Sequence, residues 1–251
     1  MLRAAGGVPA VNPRGDSRSF QQRRGINVYH KLRLAHWRVW AMAPISVASV
    51  LLFLLPGSAS AASATVCTST LPPGTYHSII VPAGQTCDLG VGPVHVRAGV
   101  RVGAGATFSL GFELGPNTGT ISGGIRATNA SQVLVHNARI NGGVSVQGGA
   151  GPTACTDPIP HVCFTDFEDN TINGGATING YNGVFLGFIR NHVNGAVAIT
   201  NNMVFDEIDI GTNTVHGSLS CAGNNPLENT GGSPGPTPDT VTGRNTCNEV
   251  S

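Results

Sequence analysis

Beyond residue 64 the chain has no lysine and no tryptophan, and its only tyrosines are Tyr76 and Tyr181. Six arginines stand there: Arg97, Arg101, Arg126, Arg139, Arg190 and Arg244. They face 12 of the 13 acidic residues, so this segment is acidic although the whole chain carries a formal charge of +1. An acidic, lysine-free segment is poorly suited to holding phosphate backbones, which argues against nucleic acid as a partner. The shortage of Trp and Tyr argues against a sugar cleft paved with aromatic rings. No Cys-x-x-Cys pair occurs and the histidines are scattered, so neither a metal nor a cofactor is expected. A Gly-x-Ser-x-Gly elbow is also missing, which disfavours a serine hydrolase. Helical periodicity is lacking after residue 64, and the 35 glycines suit a β-rich fold with many tight turns.

Eight of the 14 Lys and Arg precede residue 39 and form a basic leader over residues 1–38. Residues 39–55 are an apolar run broken only by Pro44, Ser46 and Ser49, and residues 56–64 are mostly small. This layout predicts a secretory signal over residues 39–64, cleaved after Ala61 or Ala64. A single membrane anchor is the competing reading of the same run. Cysteine usage agrees with export. All six cysteines, Cys67, Cys87, Cys155, Cys163, Cys221 and Cys247, follow the signal. An even count in an exported domain implies disulfides. Among the 15 possible pairings, sequence proximity favours Cys67–Cys87, Cys155–Cys163 and Cys221–Cys247. The predicted domain is 65–251, with membrane contact only through the signal segment.

A repeat fills the second half of the chain. Its copies are Ile121-Ser-Gly-Gly-Ile125, Ile140-Asn-Gly-Gly-Val144, Ile172-Asn-Gly-Gly-Ala176, Val193-Asn-Gly-Ala-Val197 and Val215-His-Gly-Ser-Leu219, with a truncated Val241-Thr-Gly243. The longest interval, between Ile140 and Ile172, contains a Gly- and Pro-rich excursion between Cys155 and Cys163. Each unit carries a second apolar strand, as in residues 133–135, 164–167, 184–188 and 204–210. Asn170, Asn191 and Asn213 stand two residues before the repeat's Ile or Val, with Ala138 and Asp239 in that place at the ends. Short strands at a near-constant period predict a β-solenoid. One turn cannot bury its apolar faces alone. Stacking turns at ~4.8 Å pairs every strand in parallel and piles Ile, Val and Phe into inward columns. The glycine column marks a bend that needs positive φ or close backbone approach. A β-sandwich would not hold one register across the copies. The outward residues beside the bend, Arg126, Ser145, Thr177, Ala198 and Ser220, are too irregular for a flat ice-binding threonine ladder.

The repeat resembles that of functionally uncharacterised secreted proteins of high-GC bacteria, with the pattern N-T-[IV]-x-G-[GN]-[LV]-x-[VC]. The resemblance extends to Val81-Pro-Ala-Gly-Gln-Thr-Cys87 at the start and to Gly217-Ser-Leu-Ser-Cys-Ala-Gly-Asn224 with Cys247 at the end. It covers residues 67–251 and implies a single-stranded, right-handed parallel β-helix, similar in architecture to pectate lyases. It implies no activity. Together with the repeat count, an all-β solenoid of about six to seven turns with disulfide-stapled ends is expected.

Candidate chemistry lies in two acidic clusters, Asp166, Glu168 and Asp169, then Asp206, Glu207 and Asp209. Counted back from Asn170 and Asn213, Asp166 and Asp209 occupy the same place in their turns, with Gly187 between them. This count needs a small insertion near Phe205. Two turns place the backbones ~9–10 Å apart on one face, close to the carboxylate spacing of inverting glycosidases. Glu168 is a further candidate beside them. The competing reading makes Asp166 and Asp209 solvated carboxylates on an acidic surface. Asp169 and Arg190 fall in equivalent places and are expected to pair at the surface. The histidines are expected in solvated turns. A structural or ligand-binding role at the cell envelope or outside it, without catalysis, is therefore expected, with cell-wall polysaccharide or a surface protein as partner. The alternative is a carbohydrate-active enzyme using the surface carboxylates.

Overall fold

The computed structural model describes residues 63–90, 92–111, 119–149, 163–230 and 237–247. The leader and all but Ser63 and Ala64 of the signal segment lie outside these residues, as does Cys155. Among the described residues no helix is long and apolar enough to cross a membrane.

The domain is an all-β parallel solenoid of about 7 turns. Three parallel sheets run its length, with eight, seven and eight strands. A single turn shows the unit. Thr171–Ile172 belongs to the third sheet, Ala176–Asn179 to the first and Phe185–Ile189 to the second. The repeat's Ile or Val sits on the short third-sheet strand and points inward, so Ile121, Ile140, Ile172, Val193 and Val215 form one buried column. Past the glycine bend, Ile125, Val144, Ala176, Val197 and Leu219 form a second. In the second sheet Leu110, Val135, Phe167, Phe188 and Ile210 form a third. Period-2 alternation turns the residues between them outward. The expected strand over 204–210 begins later, at Glu207, because residues 203–206 carry the insertion and leave Phe205 85 % exposed.

The three corners work differently. The glycine bend needs close approach and not positive φ. A Cβ at Gly174 would lie 2.7 Å from the backbone nitrogen of Gly143. The left-handed residues stand at the other two corners, Asn129 and Asn201 in one, Asn137, Asp169, Arg190 and Thr212 in the other.

Each left-handed corner is followed by a buried asparagine ladder. Asn170 Nδ2 donates to Asn191 Oδ1 at 3.0 Å, and Asn191 Nδ2 to Asn213 Oδ1 at 3.1 Å. The last donor, Asn213, ends on Asp239 Oδ1, a carboxylate that accepts and needs no onward acceptor. The second ladder runs from Asn202 to Asn224 and ends on Glu228. Disulfides join Cys67 to Cys87 and Cys221 to Cys247 near the two ends. Cys163 is also disulfide-bonded.

Candidate functional site

The outward face of the second sheet carries the acidic residues. Its strands Phe164–Glu168, Phe185–Ile189 and Glu207–Gly211 pair in register. Asp166, Gly187 and Asp209 therefore form one outward column, in the register counted from the asparagines. Phe164, Phe185 and Glu207 form the column beside it, with the two rings edge to face at 6.3 Å. His136 and Glu168 begin the column on the other side. Asp206 is exposed in the bend before the last strand.

Gly187 sets the geometry. Asp166 leans across it, so that its Oδ1 lies where a Cβ of residue 187 would stand, 2.1 Å from that point. The space over Gly187 is thus filled by the carboxylate itself and is not open. Asp166 is also not a solvated carboxylate. It is 6 % exposed. His136 Nε2 donates to its Oδ2 at 3.0 Å, and Oδ1 has no hydrogen-bond partner among the described residues.

Charge is distributed in two coupled groups. Arg190 donates to Asp169 Oδ1 at 2.8 Å and to Glu168 Oε2 at 2.5 Å, which is the expected Asp169 pairing with Glu168 added. The Arg190 hydrogen bond holds the Asp169 carboxyl below its ordinary value. Burial pushes Glu168 up, aided by the Asp166 charge and opposed by Arg190. For His136, burial pulls downward, but the hydrogen bond and charge of Asp166 outweigh it and raise the imidazole. Two turns on, Asn229 Nδ2 donates to Glu207 Oε1 at 2.8 Å and Asp209 Oδ1 at 3.0 Å. Burial, then the adjoining Glu207, push Asp209 up to about 6, with the Asp166 charge contributing.

His136, Asp166 and Glu168 offer ligand atoms within 4.8 Å of one another, a set able to approach one cation. Arg190 already supplies positive charge to Glu168, so a metal would have to displace or tolerate a guanidinium. The residue set fits a cation poorly.

Sequence reasoning missed His136 and Asn229. His136 stands on a strand with its side chain half-buried against Asp166, not in a solvated turn. The signal was present: His136 is two residues before Ala138, as Glu168 is before Asn170. The long interval between Ile140 and Ile172 hid it. Asn229 comes from the segment between the last full copy and the truncated one at Val241, outside the repeat pattern. His192 and His216 meet edge to face at 4.9 Å, away from this column. Comparison with known families, curated proteins and solved structures finds no match for the chain.

Proposed function

We propose that the protein is an exported β-helix protein that acts by binding, in the cell envelope or outside it, with no catalytic step. Asp166 carries this reading. A general base must reach both a water and a substrate, whereas Asp166 is buried, holds His136 through one oxygen and turns the other over Gly187. Export is supported by the basic leader and apolar run, and by disulfides that suit an oxidising compartment. The resemblance to secreted proteins of high-GC bacteria points the same way. A cell-wall polysaccharide is the ligand class that best suits a long, polar, repetitive surface. A surface protein is the other partner this reading admits.

One observation favours the second reading, a carbohydrate-active enzyme. A carboxyl raised to about 6 beside another carboxylate is in the state a general acid needs. In that case Asp209 would protonate the glycosidic oxygen, Asp166 would activate water, and Glu168 would hold Arg190 in place. The deciding experiment incubates the purified protein with cell-wall polysaccharides and follows co-sedimentation and release of reducing ends. Retention without release supports binding. Release that is lost in both Asp166→Asn and Asp209→Asn, with circular dichroism unchanged, establishes the enzyme and overturns the first reading.

A further inference from the structure

Arg101 and Arg126 are direct register partners on neighbouring strands of the first sheet. Both side chains are exposed. Adjacent strands lie ~4.8 Å apart, and like charges placed directly opposite one another destabilise a sheet. Neither arginine has an ion pair or a side-chain hydrogen bond among the described residues, where the ion pairs involve His136 and Arg190. An acidic segment with six arginines therefore spends two of them on an unneutralised stack.

The surroundings suit an anion. An open depression of about 540 Å³ lies against Ser78, Ile80, Gly99, Arg101, Gly124 and Arg126. A second, of about 400 Å³, shares Gly124 and Arg126 and continues to Gly143 and Ser145. Side chains cannot fill this floor. A Cβ at Gly99 would lie 2.8 Å from the carbonyl oxygen of Gly124, and one at Gly124 would lie 2.3 Å from that of Gly143. The field has the right sign. Among the described residues before 150 stand Arg97, Arg101, Arg126 and Arg139 with Asp88 as the one carboxylate, whereas Asp166, Glu168, Asp169, Asp206, Glu207 and Asp209 follow after 163. Anions are steered to the first end and repelled from the second. Beyond Arg126 the same outward column continues with Ser145 and Thr177, whose hydroxyls can donate to and accept from sugar hydroxyls.

We infer that Arg101 and Arg126 bind the oxyanion groups, carboxylate or sulfate, of a linear acidic polysaccharide lying along the first sheet. This inference rests on the binding reading above and names the ligand class and the face. A guanidinium pair forks onto such groups, and a chain laid along the axis meets the hydroxyl column next.

The test uses the purified full chain in calorimetric titrations with alginate, heparin oligosaccharide, neutral dextran and single-stranded DNA, at low and high salt. Alginate and heparin distinguish carboxylate from sulfate. At least one acidic glycan should bind, dextran should not, and Arg101→Gln/Arg126→Gln should weaken that binding at least tenfold. Arg244→Gln should change it less than twofold. Both substituted residues are exposed, so the double variant should melt at or above the temperature of the native protein. Equal binding by the double variant overturns the site, as does tighter binding of DNA than of either glycan. If only dextran binds, the arginine site falls and the binding reading stands. If no polysaccharide binds, the site falls, and a surface protein becomes the partner left to test.

Discussion

Asn191 sits at the centre of the longer ladder, and every polar group on its amide is used. Its Nδ2 donates to the Phe167 carbonyl at 2.8 Å and to Asn213, while its Oδ1 accepts from the backbone and side chain of Asn170. Truncation would leave several buried groups unsatisfied, each costing about 1–3 kcal/mol. Asn191→Ala should therefore lose about 3–5 kcal/mol in urea unfolding, whereas Asp239→Asn, at the partly exposed end, should cost about 1 kcal/mol or less. At Asp209 the sign of the pH effect follows from its raised value. The folded state keeps a proton that the unfolded state has released, so the contribution to stability is complete below the ordinary carboxyl value near 4 and is lost as pH rises through about 6. The raised His136 imidazole acts in the same sense, complete below its ordinary value and lost as pH rises through its folded one. Between pH 4 and pH 7 the native protein should lose stability more steeply than Asp209→Asn, by on the order of 1 kcal/mol after solvent screening. Equal slopes in chemical denaturation across that range would remove Asp209 from the account.

At the level of the strand and the corner, the glycine bend is the tightest part of a turn. Gly174→Ala places a methyl group 2.7 Å from Gly143 N and 2.8 Å from Gly142 C, both backbone atoms held by ladders on either side. An expected loss of about 3 kcal/mol follows from the forced shift. Gly84→Ala meets nothing within 4 Å and suffers only from its φ of 67°, so about 1 kcal/mol is expected. Denaturant midpoints of the two variants check the ordering. These elements differ in how far the sequence exposed them. The bend was legible because Gly123, Gly142, Gly174, Gly195 and Gly217 recur with the inward Ile or Val before them. The left-handed corners were not, since Asn, Asp, Arg, Thr and Gly all occupy them and leave no motif. The second asparagine ladder was hidden for a related reason. It begins only at Asn202, with the buried Tyr181 in the preceding turn donating its backbone N–H to it. The Asp166–Gly187–Asp209 column could be counted from Asn170 and Asn213. The burial of Asp166 could not, because it depends on a carboxylate leaning into the neighbouring turn.

Across the whole molecule, strand pairing joins each turn only to the turns above and below it, and the buried Tyr181 hydroxyl reaches one turn further, donating to the Ser131 carbonyl at 3.1 Å. Stability in such a stack is a sum of nearest-neighbour terms, and the ends, which have one neighbour, open first. Exposed strand edges there would also invite pairing with other chains. The two end disulfides act at these weak points. Cys67–Cys87 closes a separation of 20 residues and ties the strand Thr65–Val66 to the turns that follow, while Cys221–Cys247 closes 26 at the other end. Constraining a loop of that size is worth about 3 kcal/mol in the chain-entropy view. If the stack were fully cooperative, removing the first bridge would lower protection of every amide by that amount. Nearest-neighbour coupling gives a different pattern. In Cys67→Ser/Cys87→Ser, hydrogen exchange should accelerate at Thr65–Val66 and Ile79–Val81, where the end strands now open alone. Amides of Ala176–Asn179 and Val197–Thr200, held by strands on both sides, should keep their native rates. The same variant should self-associate more readily, because the released edge exposes unpaired backbone groups. Uniform acceleration along the solenoid, without association, would show that the bridge stabilises the stack globally and does not guard its edge.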